Sequence, residues 1–345
     1  MKTTQRPAYR IESGNRQSVS LADAGKSWRR LLKADPLEWL LEPSNPSVRY
    51  WTLVDLLDRP RSDPTVQQAA SEIPKMPLVL YVLGRRNRKG LWGEVKDYYT
   101  PKHYSTFWVL SVLGDIGVSA DLQVIKPAID YMLSHQREDG AFRREQITTG
   151  HQETNPVPCT HARILRFLVQ FGQEHLPAVQ KGVDWLIANQ RQDGSWICNR
   201  SSEQRHGCLR ATHDYLRLAE LMPELAKHEC TAQAATWMLD RLLDPRVGRF
   251  KVDNLWLKFT FPTFDYHLLS AAGALARLGY GLEHAKMAQA AEAILAKQTN
   301  NGTWLIDVEP ARPPASFGRA GEPGKWVTLD ALRVLKRLYD RTDSR

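Results

Sequence analysis

The chain of 345 residues contains only four cysteines, and their spacing is uneven. A disulfide framework is therefore not indicated, and a cytoplasmic location with reduced thiols is the expectation. Lys2, Arg6 and Arg10 are not followed by an apolar stretch, which speaks against a signal peptide. The longest apolar segment, residues 107–118, is interrupted by Asp115 and is too short to span a bilayer.

Positive charge is in excess, with a formal net charge of +9, but it is not gathered into a nucleic-acid-binding face. The densest basic run, residues 85–89, is short and has no aromatic-rich recognition motif beside it. We therefore expect a solvated turn and no nucleic-acid partner, while peripheral contact with a membrane remains open. Residues 1–25 are polar and predict a loosely attached tail before a single domain, residues 26–345.

Four glycines recur along the chain at a constant interval. Gly140, Gly194, Gly248 and Gly302 lie 54 residues apart, and an aromatic residue follows each of them two positions later. The surrounding sequence is nearly repeated, as QREDGAF at 136–142, QRQDGSW at 190–196 and QTNNGTW at 298–304. The copy around Gly248 is degenerate. A fixed period of this length indicates an array of one supersecondary unit.

Each glycine motif separates two helical patterns. Residues 181–190 have apolar side chains at helical spacing, and the Asp-Gly or Asn-Gly pair ends such a helix. A more apolar helix then follows in each unit, predicted over residues 104–117, 159–172, 208–222, 262–279 and 325–339. Together with residues 46–57 and 64–82 this gives about six hairpins. The chain is therefore predicted to be all-α, an α/α toroid with amphipathic outer helices and buried inner helices.

The glutamine-to-tryptophan text resembles the QW motif of squalene–hopene cyclases, which share the α/α toroid with protein prenyltransferase β subunits. The match is specific at residues 190–196 and good at 136–142 and 298–304. Residues 46–51, 104–108 and 261–264 further resemble bacterial squalene-cyclase-like proteins of unassigned activity. This resemblance implies the toroid, and a hydrophobic, isoprenoid-like substrate in its central cavity.

The acid motif of class II terpene cyclases, Asp-x-Asp-Asp, is absent from the sequence, as is the class I motif Asp-Asp-x-x-Asp. Single acidic residues remain near the inner helices, including Asp115, Asp214 and Asp330. We expect these to be caps or salt-bridge partners, because a lone acid in an apolar helix needs a partner. Conventional proton-initiated cyclisation is thus disfavoured.

Cysteines and histidines recur near the starts of the predicted inner helices, which should gather at one mouth of the toroid. Thiolate and imidazole suit tetrahedral zinc. We therefore weigh a zinc site against the alternative that the cysteines are small buried hydrophobes. Protein prenyltransferase β subunits, which the chain resembles, bind zinc at such a mouth. The predicted ligands are Cys159, Cys198, Cys208 and His267. The candidates for acid–base chemistry at this mouth are His161, His213, Asp265 and His267.

Aromatic and basic residues share the inner helices and the loops before them. Rings there could line a substrate cavity or simply pack the core, and cationic side chains could hold an anionic head group. A loop rich in proline and glycine, residues 308–325, could cover the mouth. The predicted cavity residues are Tyr104, Trp108, Phe264, Tyr266, Lys102 and His103.

Three functions remain open at this point. The leading hypothesis is a terpene cyclase- or prenyltransferase-like enzyme acting on an isoprenoid-like substrate, assisted by zinc. The first alternative is a non-catalytic toroidal binding protein with a structural zinc. The second is a toroid hydrolase or lyase, which would need two suitably separated carboxylates.

Overall fold

The computed structural model of the protein describes residues 28–119, 123–143, 156–197, 207–244 and 255–340, and the backbone of two short strands. The strands β1 (Gln146–Thr148) and β2 (His151–Glu153) pair in antiparallel fashion. The sequence pattern did not predict this hairpin. The polar tail predicted over residues 1–25 lies outside the described residues.

Within these ranges the chain forms a succession of α-helices. In chain order they are α1 (Leu37–Leu40), α2 (Pro46–Trp51), α3 (Pro64–Glu72), α4 (Pro77–Gly84), α5 (Thr106–Asp115), α6 (Lys126–Leu133), α7 (Pro158–Gln170), α8 (Pro177–Ala188), α9 (Leu209–Ala219), α10 (Pro223–Lys227), α11 (Glu229–Arg241), α12 (Leu268–Arg277), α13 (Ala285–Ala296) and α14 (Lys325–Tyr339). A π-helical segment, Thr52–Leu56, continues α2. No helix of the described residues is long and apolar enough to cross a membrane.

Six helices form an inner ring, namely α2, α5, α7, α9, α12 and α14. Every residue of α5 from Thr106 to Gly114 is buried, and so is every residue of α7 from Pro158 to Leu168. The outer helices bury a single stripe, which in α13 includes Met287, Ala290 and Ile294. This difference follows from position, since an inner helix contacts neighbours on all sides and an outer helix faces solvent on one.

The inner helices close into a ring. Consecutive inner helices from α5 to α14 contact one another, and α14 packs against α2 and the π-helical segment. The remaining junction, between α2 and the end of α5, is made where the Ser47 hydroxyl donates to the carbonyl oxygen of Ile116. The predicted α/α toroid is therefore confirmed.

The repeated glutamines connect each repeat to the next one. The Gln136 side-chain amide donates to the carbonyl oxygen of Ala178 at 2.6 Å, in the first turn of α8. Gln190 donates in the same way to Cys230 at 2.8 Å, in the first turn of α11. In the last repeat, Gln298 Oε1 accepts from the Lys33 amide at 2.9 Å, so the same device joins the last repeat to the start of the described chain.

The repeated glycines allow the backbones of neighbouring repeats to approach closely. Gly194 has φ +86°, and a Cβ there would lie 2.5 Å from the carbonyl oxygen of Gln233. At Gly302, with φ +76°, a Cβ would lie 1.9 Å from the carbonyl oxygen of Ala34. Only glycine satisfies both the positive φ and the close approach. The degenerate copy around Gly248 lies outside the described residues.

Two predicted helices differ from those observed. The helix predicted over residues 64–82 is broken into α3, a 3₁₀ turn (Ile73–Lys75) and α4, because Pro74 and Pro77 cannot continue an α-helix. The helix predicted from residue 262 begins only at Leu268. The predicted bounds of the last inner helix, 325–339, agree with α14.

Candidate functional site

The N-terminal ends of the inner helices carry most of the predicted site residues. Cys159 lies in the first turn of α7, Cys208 immediately precedes α9, and His267 immediately precedes α12. We call this end of the ring the N-terminal mouth. Helix starts present unsatisfied N–H groups, so polar side chains are expected to gather here.

Three of the predicted cavity residues form one aromatic group at this mouth. The His103 ring stacks on Phe264 with centroids 4.4 Å apart. Trp108 meets both rings edge-on, at 4.9 Å from His103 and 5.2 Å from Phe264. Trp108 and Phe264 are buried, whereas His103 is half-buried. We call these three residues the aromatic mouth.

The other predicted cavity residues do not join this group. Tyr266 packs against Trp256 instead, with centroids 5.0 Å apart. Tyr104 is half-buried and Lys102 is exposed. The loop over residues 308–325 does reach the aromatic mouth, because the His103 ring nitrogen Nδ1 contacts the carbonyl oxygen of Ala311.

Two arginines flank Trp108. The Arg163 and Arg210 guanidinium carbons lie 5.7 and 5.5 Å from the centroid of the indole ring, within range of cation–π attraction. Arg163 Nη2 donates to Asp214 Oδ1 at 2.8 Å, and both side chains are only 1% exposed. Arg210 is 20% exposed, so this group of charges reaches solvent through Arg210.

Several atoms of this group lack a hydrogen-bond partner among the described residues. The donors are Arg163 Nη1 and Arg210 Nε, and an unpaired acceptor is Asp214 Oδ2, 3.9 Å from Arg210 Nε. His213 Nδ1 is also unpaired. His213 Nε2 lies 2.9 Å from Ser270 Oγ, and His213 Nδ1 lies 3.6 Å from Asp214 Oδ1, too far for a hydrogen bond. We call Arg163, Arg210, His213 and Asp214 the polar cluster.

Burial and charge fix the protonation states of the polar cluster. Burial alone would raise the pKa of Asp214, but the charge of Arg163 and contact with His213 hold it well below its usual range. Burial lowers the pKa of His213, against the opposing effect of Asp214. Asp214 is therefore ionised and His213 neutral near pH 7. Asp265, predicted as an acid–base residue, is half-buried and interacts electrostatically with Arg210.

His161 joins two repeats through hydrogen bonds of both ring nitrogens. Its Nδ1 accepts from the Phe142 amide at 3.1 Å, and its Nε2–H donates to the carbonyl oxygen of Gly182 at 2.8 Å. Thr106 and Thr328 accept from the amides of Trp92 and Trp304 in two other repeats. His161 thus occupies a threonine position of the repeat, and both of its ring nitrogens are engaged.

His267 is likewise held inside the protein. Its Nε2 lies 2.9 Å from Thr263 Oγ1 and 3.1 Å from the carbonyl oxygen of Thr260. Burial, together with the neighbouring His213 and Arg217, lowers the pKa of His267 to about 3. The ring is neutral at physiological pH, and Nε2 is engaged within the protein, whereas Nδ1 has no hydrogen-bond partner among the described residues.

The described donor atoms do not make up a zinc site. No three His, Cys, Asp or Glu side chains of the described residues lie close enough together to hold a metal ion. Cys198 lies outside the described residues. The zinc site proposed on Cys159, Cys198, Cys208 and His267 stays a prediction, and no chemical step is derived from it.

Below the polar cluster, ion pairs between neighbouring inner helices continue along the inside of the ring. Arg166 of α7, 2% exposed, pairs with Asp115 of α5 at 3.0 Å. Arg333 of α14 pairs with Asp55 of the π-helical segment at 2.7 Å as well as with Asp330 of its own helix at 2.8 Å. Asp115, Asp214 and Asp330 are therefore the salt-bridge partners expected from the sequence. Arg163 and Arg166 were missed there, although Arg163–Asp214 and Asp115–Arg166 are both separated by 51 residues, close to one repeat.

Sequence comparison links the chain to one family. Residues 78–207 match the model of the squalene-hopene cyclase C-terminal domain. A squalene–hopene cyclase of Bradyrhizobium diazoefficiens is 26% identical over 57% of this chain and 32% of that protein. One from Zymomonas mobilis is 26% identical over 49% of this chain and 28% of its own length. The predicted resemblance is confirmed, and the matches span about a third or less of these relatives.

Solved structures with similar helices include two kinds of enzyme. A type II terpene cyclase of Scytonema, MstE, has a TM-score of 0.45 and 14% identity, covering 87% of this chain and 97% of that chain. An unsaturated glucuronyl hydrolase specific for heparin has a TM-score of 0.48 and 16% identity, covering 90% and 89%. The toroid assignment for this chain rests on the ring closure of its own inner helices.

Proposed function

We propose that this protein binds an isoprenoid-like molecule with a neutral, hydroxyl-type head group at the N-terminal mouth. The observation that carries the proposal is the polar cluster beside the aromatic mouth. It offers unpaired donors on Arg163 Nη1 and Arg210 Nε and an unpaired acceptor on Asp214 Oδ2. A hydroxyl group both donates and accepts, so it complements this set.

Charge balance favours a neutral head group over the anionic one expected from the sequence. The two arginines face two carboxylates, Asp214 and Asp265, and His213 is neutral. A diphosphate would gain from the guanidinium groups but would be repelled by both carboxylates. A hydroxyl group adds no charge and still forms hydrogen bonds that the buried atoms lack.

The apolar part of the ligand is assigned to the aromatic mouth. Phe264 and Trp108 are buried beside the polar cluster, and the half-buried His103, which stacks on Phe264, lies at the solvent side. Support for an isoprenoid chain comes from the match to squalene–hopene cyclases. Ion pairs inside the ring, such as Arg166–Asp115, disfavour passage of a long apolar chain beyond the mouth.

A second candidate is cyclisation of a polyene, favoured by the family match and by one buried acid. Of the described carboxyl groups whose pKa departs clearly from its ordinary value, only that of Asp330 is raised, chiefly by burial. Arginines hold the pKa values of Asp55, Asp115 and Asp214 low despite burial. Asp330 would thus be the proton donor, although its bond to Arg333 favours the ionised form.

Binding of farnesol, farnesyl diphosphate and squalene, followed by tryptophan fluorescence and calorimetry, tests the proposal. Farnesol should bind saturably and at least about tenfold more tightly than the diphosphate. Arg210→Gln should weaken farnesol binding about tenfold, the effect of one lost hydrogen bond. Arg241→Gln is the matched control, since Arg241 stacks on Trp237 at 4.1 Å in an outer helix.

Equal farnesol affinity in native protein and Arg210→Gln would contradict the proposal. Chromatography of the same incubations distinguishes the second candidate. A cyclised product that disappears in Asp330→Asn would establish catalysis, whereas unchanged ligand recovered in full supports binding alone.

A further inference from the structure

A second polar cavity lies at the opposite end of the ring, where the inner helices finish. Its volume is about 560 Å³, and it opens beside the last turns of α12 and α14 and the π-helical segment. Both acidic and basic side chains line its wall, and the basic ones are expected near helix C-termini. The residues that matter here are Asp55, Arg277, Lys336 and Arg337.

Most acidic side chains around this cavity already have a partner of their own. Asp58 pairs with Lys336 at 2.5 Å, and Glu220 pairs with Arg217 at 3.2 Å. Asp340 accepts from the Trp28 amide at 3.3 Å. Asp58 and Glu220 are therefore paired with cations, whereas Asp340 accepts from a neutral amide.

Asp55, in contrast, is shared by three arginines. Arg333 donates to Asp55 Oδ2 at 2.7 Å, whereas Arg277 and Arg337 lie 3.6 and 3.7 Å from the carboxylate. For Arg277 this long contact is the only ion pair within the described residues. One carboxylate cannot make close bonds to three guanidinium groups, so Arg277 and Arg337 are held by Asp55 only at long distance.

The pKa of Arg337 agrees with the crowding of three arginines around Asp55. Burial and the neighbouring charge of Arg277 lower the pKa of Arg337 to about 10. The two side chains are 24% and 26% exposed, so a ligand in the cavity can reach both.

We propose that this cavity binds an oxyanion, a phosphate or a carboxylate group, between Arg277 and Arg337. Guanidinium groups recognise both anions through paired N–H donors. The bound anion supplies the close hydrogen-bond acceptors that Asp55, at 3.6 and 3.7 Å, does not provide for these two arginines. This site is separate from the N-terminal mouth and does not depend on the function proposed there.

Thermal unfolding and calorimetry with inorganic phosphate, citrate and chloride at matched ionic strength test this site. Phosphate or citrate should raise the midpoint more than chloride and bind saturably, and the better of the two identifies the anion class. Arg277→Gln should weaken this binding at least about fivefold. Arg191→Gln, at a turn near the N-terminal mouth, is the matched control and should bind as the native protein does.

Two results would contradict the proposed anion site. Phosphate and citrate would raise the unfolding midpoint no more than chloride does, or Arg277→Gln would bind them as tightly as the native protein. Circular dichroism verifies that the variant is folded, and Arg337→Gln provides a second reading at the same cavity. Arg210→Gln should keep anion binding while losing farnesol affinity, so failure of one proposal is distinguishable from failure of the other.

Discussion

At the scale of single residues, buried histidines in this protein have a structural role and remain in one protonation state. His161 shows this most clearly, because one nitrogen accepts from Phe142 and the other donates to Gly182. From the sequence it was a candidate for acid–base chemistry. The signal that could have corrected this is the alignment of repeats, in which Thr106 and Thr328 occupy the same place.

The pH dependence of stability should reveal the state of His161. Burial lowers its pKa to about 4, so below pH 6.5 the unfolded chain binds a proton that the folded protein excludes. Stability is therefore full above pH 6.5 and falls as the pH drops toward 4. The loss between pH 7 and pH 5 should be about 2 kcal/mol from this residue.

Urea unfolding at pH 7 and pH 5 measures this loss. His161→Thr, which restores the residue of the other repeats, should reduce the pH dependence by about 2 kcal/mol. His175→Thr, at an exposed histidine, is the control and should leave the pH dependence of stability unchanged. An identical pH dependence in native protein and His161→Thr would show that His161 titrates normally in the folded state.

At the scale of elements, the sequence predicts the hairpins because periodic glycines mark the helix ends. The amphipathic stripes of the outer helices add to this signal. The late start of α12 was missed, although residues 262–267, PTFDYH, consist of two aromatic residues among proline and polar residues. Asp214 was predicted as a salt-bridge partner, but Arg163 was missed because the two charges lie on different helices.

Gly302 should be the position where a single methyl group damages the repeat contact most clearly. Gly302→Ala incurs the cost of a positive φ and must also separate its backbone from Ala34. Gly172→Ala is the matched control, with φ +68° and no atom within 4 Å of the added Cβ. The control should lose about 1 kcal/mol, and Gly302→Ala about 3 kcal/mol or more.

Denaturant unfolding of Gly302→Ala and Gly172→Ala shows whether the close approach of Gly302 to Ala34 contributes to stability. Equal losses of stability would mean that backbone conformation alone requires glycine at position 302. In that case the repeat contact through Ala34 would contribute little to closing the ring.

At the scale of the whole molecule, the toroid places two polar sites at opposite ends of one ring. The repeats bring the starts of the inner helices to the N-terminal mouth of the ring. There the three residues of the aromatic mouth lie beside the polar cluster. The sequence could predict that these residues gather, because inner helices run parallel. It could not predict that Arg163 and Arg210 flank Trp108, since this depends on packing between helices.

Photo-cross-linking with a farnesol analogue that carries a diazirine on its hydrocarbon chain tests the central claim most directly. We predict adducts on peptides containing His103, Trp108 or Phe264, and their loss when excess farnesol competes. Adducts confined to other surfaces, such as the groove beside Leu78 and Phe317, would contradict binding at the N-terminal mouth. The absence of any competed adduct would contradict it equally.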